Sequence, residues 1–182
     1  DVSSIETDLE ALLKHNQAAI ETCVSKNANP TWESLVLPLD QLDDDLNNFW
    51  SPIGHLNSVK NTTEIRSAYN ACLPKLTQFY TDLGQNKALY QAYKALAESP
   101  AAKDLSQAQT EALTHTIRDF ELSGVGLEGR EKKRYGEISQ RLSELGSQFG
   151  ENVLDATQAW SKLITDDAEL SGLPESALAQ AK

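Results

Sequence analysis

Residues 118–165 read RDFELSGVGLEGREKKRYGEISQRLSELGSQFGENVLDATQAWSKLIT. Beyond the RDFELSGVGL lead-in, an apolar stripe recurs at Leu127, Tyr135, Ile138, Leu142, Leu145, Phe149, Val153, Ala156, Trp160 and Leu163. From Tyr135 onward every step is three or four residues, the spacing that stacks side chains on one face of an α-helix. No proline interrupts the run. The pattern predicts one helix beginning at Glu128 and ending at Thr165, about 57 Å long at a rise of about 1.5 Å per residue. A compact globule of this chain length is only about 40 Å across. A helix that overshoots its own domain belongs either to an elongated molecule or to a part of something larger.

Working outward, the segment before the lead-in has Ser106 with Gln109 three residues on, a capping box that opens a helix carrying Leu113, Ile117 and Phe120. Ser123, Gly124 and Gly126 end it. Upstream, Asn86 starts a shorter helix through Leu89, Tyr93 and Leu96, which Ser99-Pro100 closes. Thr62 or Thr63 caps a helix carrying Ile65, Ala68, Tyr69, Cys72, Leu76, Phe79 and Leu83, with Pro74 as a bend and Gly84 as its stop. Residues 51–61 mix turn and apolar types, and read either as a kink that continues the preceding helix or as a short loop that buries His55. That preceding helix carries Leu39, Leu42, Leu46 and Phe49 or Trp50; Thr31 caps a start at Trp32, and Pro38 is expected to break or kink the path. A first helix over 4–25 presents Ile5, Leu9, Leu12, Asn16, Ala19, Ile20 and Cys23. Downstream of Thr165, Gly172 stops one element and Pro174 starts a last helix from Glu175. No segment alternates with period two. The expectation is an all-α fold of seven or so mostly antiparallel helices, with one long helix, forming a single helical region over 1–182 in which a subdivision into 1–100 and 101–182 stays open.

The 182 residues are 40% hydrophobic and 24% charged, the usage of a chain that folds. Formal net charge is −11, so the summed field repels phosphate backbones and anionic lipid, and neither nucleic acid nor membrane is an expected partner. No apolar run approaches the roughly 20 residues of a membrane span, and the opening DVSSIETDLEALL lacks a basic-then-apolar leader layout. Cys23 and Cys72 have no CxxC pairing, and each falls on the apolar face of a predicted helix, as a free, buried thiol in a reducing cytoplasm would.

Candidate chemistry is sparse. His15, His55 and His115 form no HExxH and no pair four residues apart. Asp40, Asp43, Asp44 and Asp45 lack the glycine turn and terminal glutamate of a calcium loop, and read as a solvated face. Gly124-Val125-Gly126 precedes a helix start that can in principle hold an anion, but no strand leads into it, so a plain helix-to-helix turn is expected. Asp119 and Glu121 point about 200° apart on a helix and are not a carboxylate pair. The basic run Arg130, Lys132, Lys133 and Arg134 reads as a solvated helix face, and Trp32, Trp50, Tyr135, Phe149 and Trp160 as packing residues. By residue chemistry alone the chain is a soluble all-α domain in which catalytic residues are none, metal ligands are none and substrate-binding residues are unassigned.

The stretches RDFELSGVGL and RYGEISQRLSELGSQFGENVLDAT, together with TWESLVLPLDQLDDDLNNFWSPIGHLNSVKN before them and SGLPESALAQAK after them, closely resemble the N-terminal helical region of the thimet-type zinc oligopeptidases, in order and across essentially the whole chain. The resemblance implies an N-terminal, non-catalytic fragment of a several-fold longer cytoplasmic metallopeptidase that cuts short peptides. The zinc would belong to the full-length enzyme, its HExxH and downstream glutamate lying in a C-terminal catalytic portion. That portion of the same chain is the implied partner, and short peptides the implied substrates of the whole enzyme. This segment would then form part of a channel wall that admits only short, unfolded peptides. Alone it is expected to bind no stoichiometric zinc and to be inactive. Removing a covering half would leave apolar surface at Phe149, Trp160 or the Leu173 region and favour self-association. The competing reading is a stand-alone helical interaction module.

Overall fold

A computed structural model of the chain describes residues 1–180. It contains, among the described residues, α1 (Ile5–Lys26), α2 (Leu37–Val59), α3 (Thr63–Gly84), α4 (Lys87–Glu98), α5 (Gln107–Leu122), α6 (Gly129–Ala159) and α7 (Glu175–Gln180), with no strand. The expected all-α fold is therefore what is found. None of these helices is long and apolar enough to cross a membrane.

The chain divides into two compact units, Asp1–Ser147 and Gln148 onward. In the first, α1 packs along α2, α3 and α4, and α4 packs on α5. One core gathers Ile20 of α1, Leu35, Leu89, Tyr93 and Leu96 of α4, Leu113 and Phe120 of α5, and Val125. Another gathers Leu9, Leu13, Leu46, Cys72 and Leu76 from α1, α2 and α3. Phe79 of α3 packs against both. The cysteines are free, Cys72 fully buried and Cys23 partly so. In the second unit, the end of α6 is followed by irregular backbone, a 3-10 turn at Asp167–Leu170 that Asp166 caps through Ala168 N–H, and α7.

Local chemistry sets the element starts where the caps predict them. Thr62, Asn86 and Ser106 each accept from the backbone N–H three residues on, and Ser106 and Gln109 form the reciprocal capping box. Thr31 and Ser34 form a second box, from which Trp32–Val36 winds as one wide π turn straight into α2. Pro38 does not break this path. It lies in the first turn of α2, directly after the wide π turn. Pro52 likewise sits inside α2, which continues to Val59, so His55 stands exposed on a helix and is not buried in a loop.

The long helix begins at Gly129 and ends at Ala159, short of the expected Thr165. Trp160 and Leu163 carry the three-four spacing onward but are 73% and 88% exposed. Helical stability comes mostly from burying an apolar face. The periodicity runs on past Ala159 without the helix.

Candidate functional site

Helix α6 within the first unit has two contrasting faces. The face turned to α3 is polar and small. Ser139, Ser143 and Ser147 recur at four-residue spacing and are partly buried. Gln140 Nε2 donates to the Pro74 carbonyl at 2.9 Å, the Thr77 and Ser143 hydroxyls are hydrogen-bonded at 2.8 Å, and Ser147 Oγ donates to Asn70 Oδ1 at 3.1 Å. Side-chain hydrogen bonds hold the two helices together, and the hydroxyls satisfy each other at the seam.

Of the predicted apolar stripe, Tyr135 is half-buried beside Thr77, Tyr80 and Ser123, and the residues from Ile138 onward lie toward solvent. Ile138, Leu142 and Leu145 are 43%, 65% and 43% exposed. From Ile138 to Leu145 the stripe is thus solvent-facing in this chain. Ion pairs Arg134–Glu137 at 3.1 Å and Arg141–Glu144 at 3.0 Å run along one edge of it, each closed within the helix. In the second unit Phe149, Trp160 and Leu173 are also exposed, so Phe149 and Trp160 are not the packing residues that their spacing predicts within this chain, and the three positions match the apolar surface expected of a chain lacking its covering half.

Several concavities lie in the first unit, two of them against its apolar cores. A groove of about 630 Å³ has an apolar floor of Leu13, Ile20, Pro74, Phe79 and Leu83, and a charged rim including Glu10, Lys14, Glu21, Lys75 and Asp82. Lys75 Nζ bridges Glu6 at 2.6 Å and also pairs with Glu10, and those two carboxylates hold its ammonium well above the usual lysine range. The second, of about 370 Å³, lies among α1, α2, α4 and α5 beside Trp32, Phe79, Tyr93 and Phe120. Asn16 lines it. Its Nδ2 donates to the Leu42 carbonyl at 3.0 Å, while the buried Oδ1 has no hydrogen-bond partner.

The remaining candidates stay apart. His15, His55 and His115 are exposed on α1, α2 and α5. Asp40, Asp43, Asp44 and Asp45 are exposed along α2, with Asp43 accepting from Tyr80 Oη at 3.2 Å. Burial, and then Asp43, push the Tyr80 phenol up to about 12. Among the described residues no three His, Cys, Asp or Glu side chains come together to hold a metal ion. Asp119 pairs with Arg118 at 3.1 Å, and Glu121 accepts from Tyr90 Oη at 2.9 Å, so the two carboxylates serve separate partners. Arg130, Lys132, Lys133 and Arg134 are exposed.

Gly124-Val125-Gly126 closes α5. Val125 N–H reaches the Phe120 carbonyl and Gly124 N–H the Glu121 carbonyl, both at 3.1 Å, with Gly124 at φ 76°. This is the paired bonding of a Schellman stop, completed by packing of Val125 and Phe120 in one core. The amides of Gly124 and Val125 are thus spent on the helix end, as in the plain helix-to-helix turn expected. What spacing alone missed is the serine seam of α6. Its four-residue recurrence was visible, but small polar residues on a helix carry no apolar signal.

Residues 8–132 match the profile described as the neurolysin/thimet oligopeptidase N-terminal domain. The chain is 53% identical over 178 residues to oligopeptidase A of Haemophilus influenzae, covering 98% of this chain and 26% of that protein. It is 52% identical over 163 residues to oligopeptidase A of Escherichia coli, covering 90% and 24%, and 40% identical over 178 residues to the probable cytosolic oligopeptidase A of Arabidopsis thaliana, covering 98% and 25%. The chain spans about a quarter of the length of these relatives. With a match running from Asp8 through α1 to α5 and into the first residues of α6, the chain belongs to the neurolysin/thimet oligopeptidase family, as its N-terminal domain.

Proposed function

We propose that this chain is the non-catalytic helical portion of a cytoplasmic zinc metallo-oligopeptidase that hydrolyses short peptides, and that it forms part of the wall of the substrate channel. The observation that carries the reading is the match of residues 8–132 to an N-terminal domain, in a chain that covers only about a quarter of relatives named oligopeptidase A. The chemistry of the segment agrees with a selecting wall. Its carboxylates, histidines and thiols are dispersed or paired at the surface, and its helices are fixed by two apolar cores. Selection by channel width asks for rigid walls and no reactive groups, while the peptide bond is cut by chemistry supplied elsewhere.

The test uses the full-length protein encoded by the gene. It is expected to cleave short unfolded peptides but not folded proteins, to lose that activity to a chelator and to regain it with zinc. Residues 1–182 alone are expected to cleave nothing. One tightly bound zinc in tag-free 1–182 would overturn the assignment of catalysis to another region. A stop codon directly after Lys182 would instead favour a stand-alone helical interaction module, for which the exposed face of α6 would be the binding surface.

A further inference from the structure

Ile138, Leu142 and Leu145 stand on the solvent side of α6, while the opposite, serine-lined side makes the contacts with α3. A helix normally turns its apolar stripe inward and its small polar residues outward. The inversion is not forced by a lack of apolar partners, because the first unit holds two cores built from other helices. The charges beside the stripe need no outside partner either, since Arg134 and Arg141 are each paired within the helix. What is left without a counterpart is apolar area.

We infer that this face of α6 is the seat on which the polypeptide following the N-terminal domain packs in the full-length protein. It is therefore an internal joint of the enzyme and not the part of the wall that looks into the channel. The length of the relatives supplies the occupant: this chain makes up 24 to 26% of them, and the matched region is an N-terminal domain. A second copy of the chain fits less well. A formal charge of −11 on each copy opposes association. A channel-lining role would leave leucine and isoleucine in water, where burial would be worth about 25 cal/mol per Å².

The inference rests on the reading of the chain as part of a longer oligopeptidase, and its test is read by labelling, separately from peptide hydrolysis. Leu142→Cys and Ile138→Cys are made singly in the full-length protein, with Lys103→Cys as the exposed reference and the buried native Cys72 as the folded-state reference. A small water-soluble maleimide is added at a dilution where sedimentation shows a monomer, and modified positions are located by mass spectrometry. The thiols introduced at positions 142 and 138 are expected to react about tenfold or more slowly than the one at position 103, with Cys72 unreactive throughout. Labelling as fast as at position 103, with Cys72 still unreactive, overturns the inference, because channel-facing or free residues admit the reagent. Protection that is present in an associated form and lost in the monomer assigns the face to a second copy and overturns it as well. Peptide hydrolysis measured on the same samples reports on the proposed function independently: a protected face in an inactive protein keeps the joint and removes the peptidase.

Discussion

The hydroxyls of Thr77 and Ser143 meet at 2.8 Å across the seam between α3 and α6. This pair fixes which side of α6 looks inward, because Ser143 lies opposite the stripe of Ile138, Leu142 and Leu145 on the helical wheel. Ser143→Leu should force bulk into a seam built for hydroxyls and destabilise the chain by about 1 to 3 kcal/mol. Ser143→Ala, which removes one hydrogen bond and adds no bulk, should cost about 1 kcal/mol or less. Urea unfolding of both variants checks the order. Equal stability of Ser143→Leu and the unaltered chain would show that α6 is not held at this seam.

That contact also shows what periodicity can and cannot tell. The capping residues Thr62, Asn86 and Ser106 were readable because each acts on a backbone amide three residues away. The helices they open, and the core positions Leu9, Leu46, Leu89 and Phe120, follow from local spacing. The spacing in α6 likewise says that Ile138, Leu142 and Leu145 share a face. It does not say whether anything within this chain meets that face. The same holds at Trp160 and Leu163, where helical spacing persists past the end of the helix. Pro38 does not end the helical path because a wide π turn precedes it at the start of α2, and Pro52 and Pro74 sit inside α2 and α3 without ending them. The functional site was legible mainly as family resemblance, since its chemistry is supplied by packing faces and not by a motif.

Gly84 ends α3 against the end of α5, and a methyl group on it would lie 2.7 Å from Ser123 Cβ and 2.9 Å from Ser123 Oγ. Gln85 Nε2 donates to the Ser123 carbonyl at 3.3 Å beside this contact, so the two chain ends cannot separate freely. Gly84→Ala should therefore destabilise by about 1 to 3 kcal/mol, although alanine is the better helix former. Ser123→Gly in the same chain should recover part of that loss. A double-mutant cycle by chemical denaturation measures the coupling, and strict additivity would exclude the steric explanation.

Asn16 is 1% exposed and offers its Oδ1 to an apolar surround without a hydrogen-bond partner. Asn16→Leu, of similar size, removes both the orphan acceptor and the bond to the Leu42 carbonyl, and should change stability by about 1 kcal/mol or less in either direction. Asn16→Asp keeps the shape but buries a carboxylate beside that carbonyl, and should cost about 3 kcal/mol or more at neutral pH. The penalty should shrink on acidification, as the buried carboxyl takes a proton. Thermal unfolding of the two variants between mildly acidic and neutral pH makes the comparison; an aspartate variant as stable as the leucine one would mean that water reaches the site.

Tyr93 sits in the core around α4 and α5 and is 7% exposed. Burial, with smaller contributions from Cys23 and Asp40, pushes its phenol from an ordinary value of 10.0 up to about 12. Below pH 10.0 both folded and unfolded chains keep this proton, and the stabilisation is fully present; between there and about 12 the unfolded chain gives it up first. Stability must then fall as pH rises through that window, by about 2 kcal/mol or less from this residue. Tyr80 shifts in the same direction but is 45% exposed, so solvent weakens its share. Tyr93→Phe removes the titrating group while keeping the ring, and should flatten part of the alkaline decline in the urea midpoint. An unchanged slope in that variant would place the alkaline sensitivity on other groups.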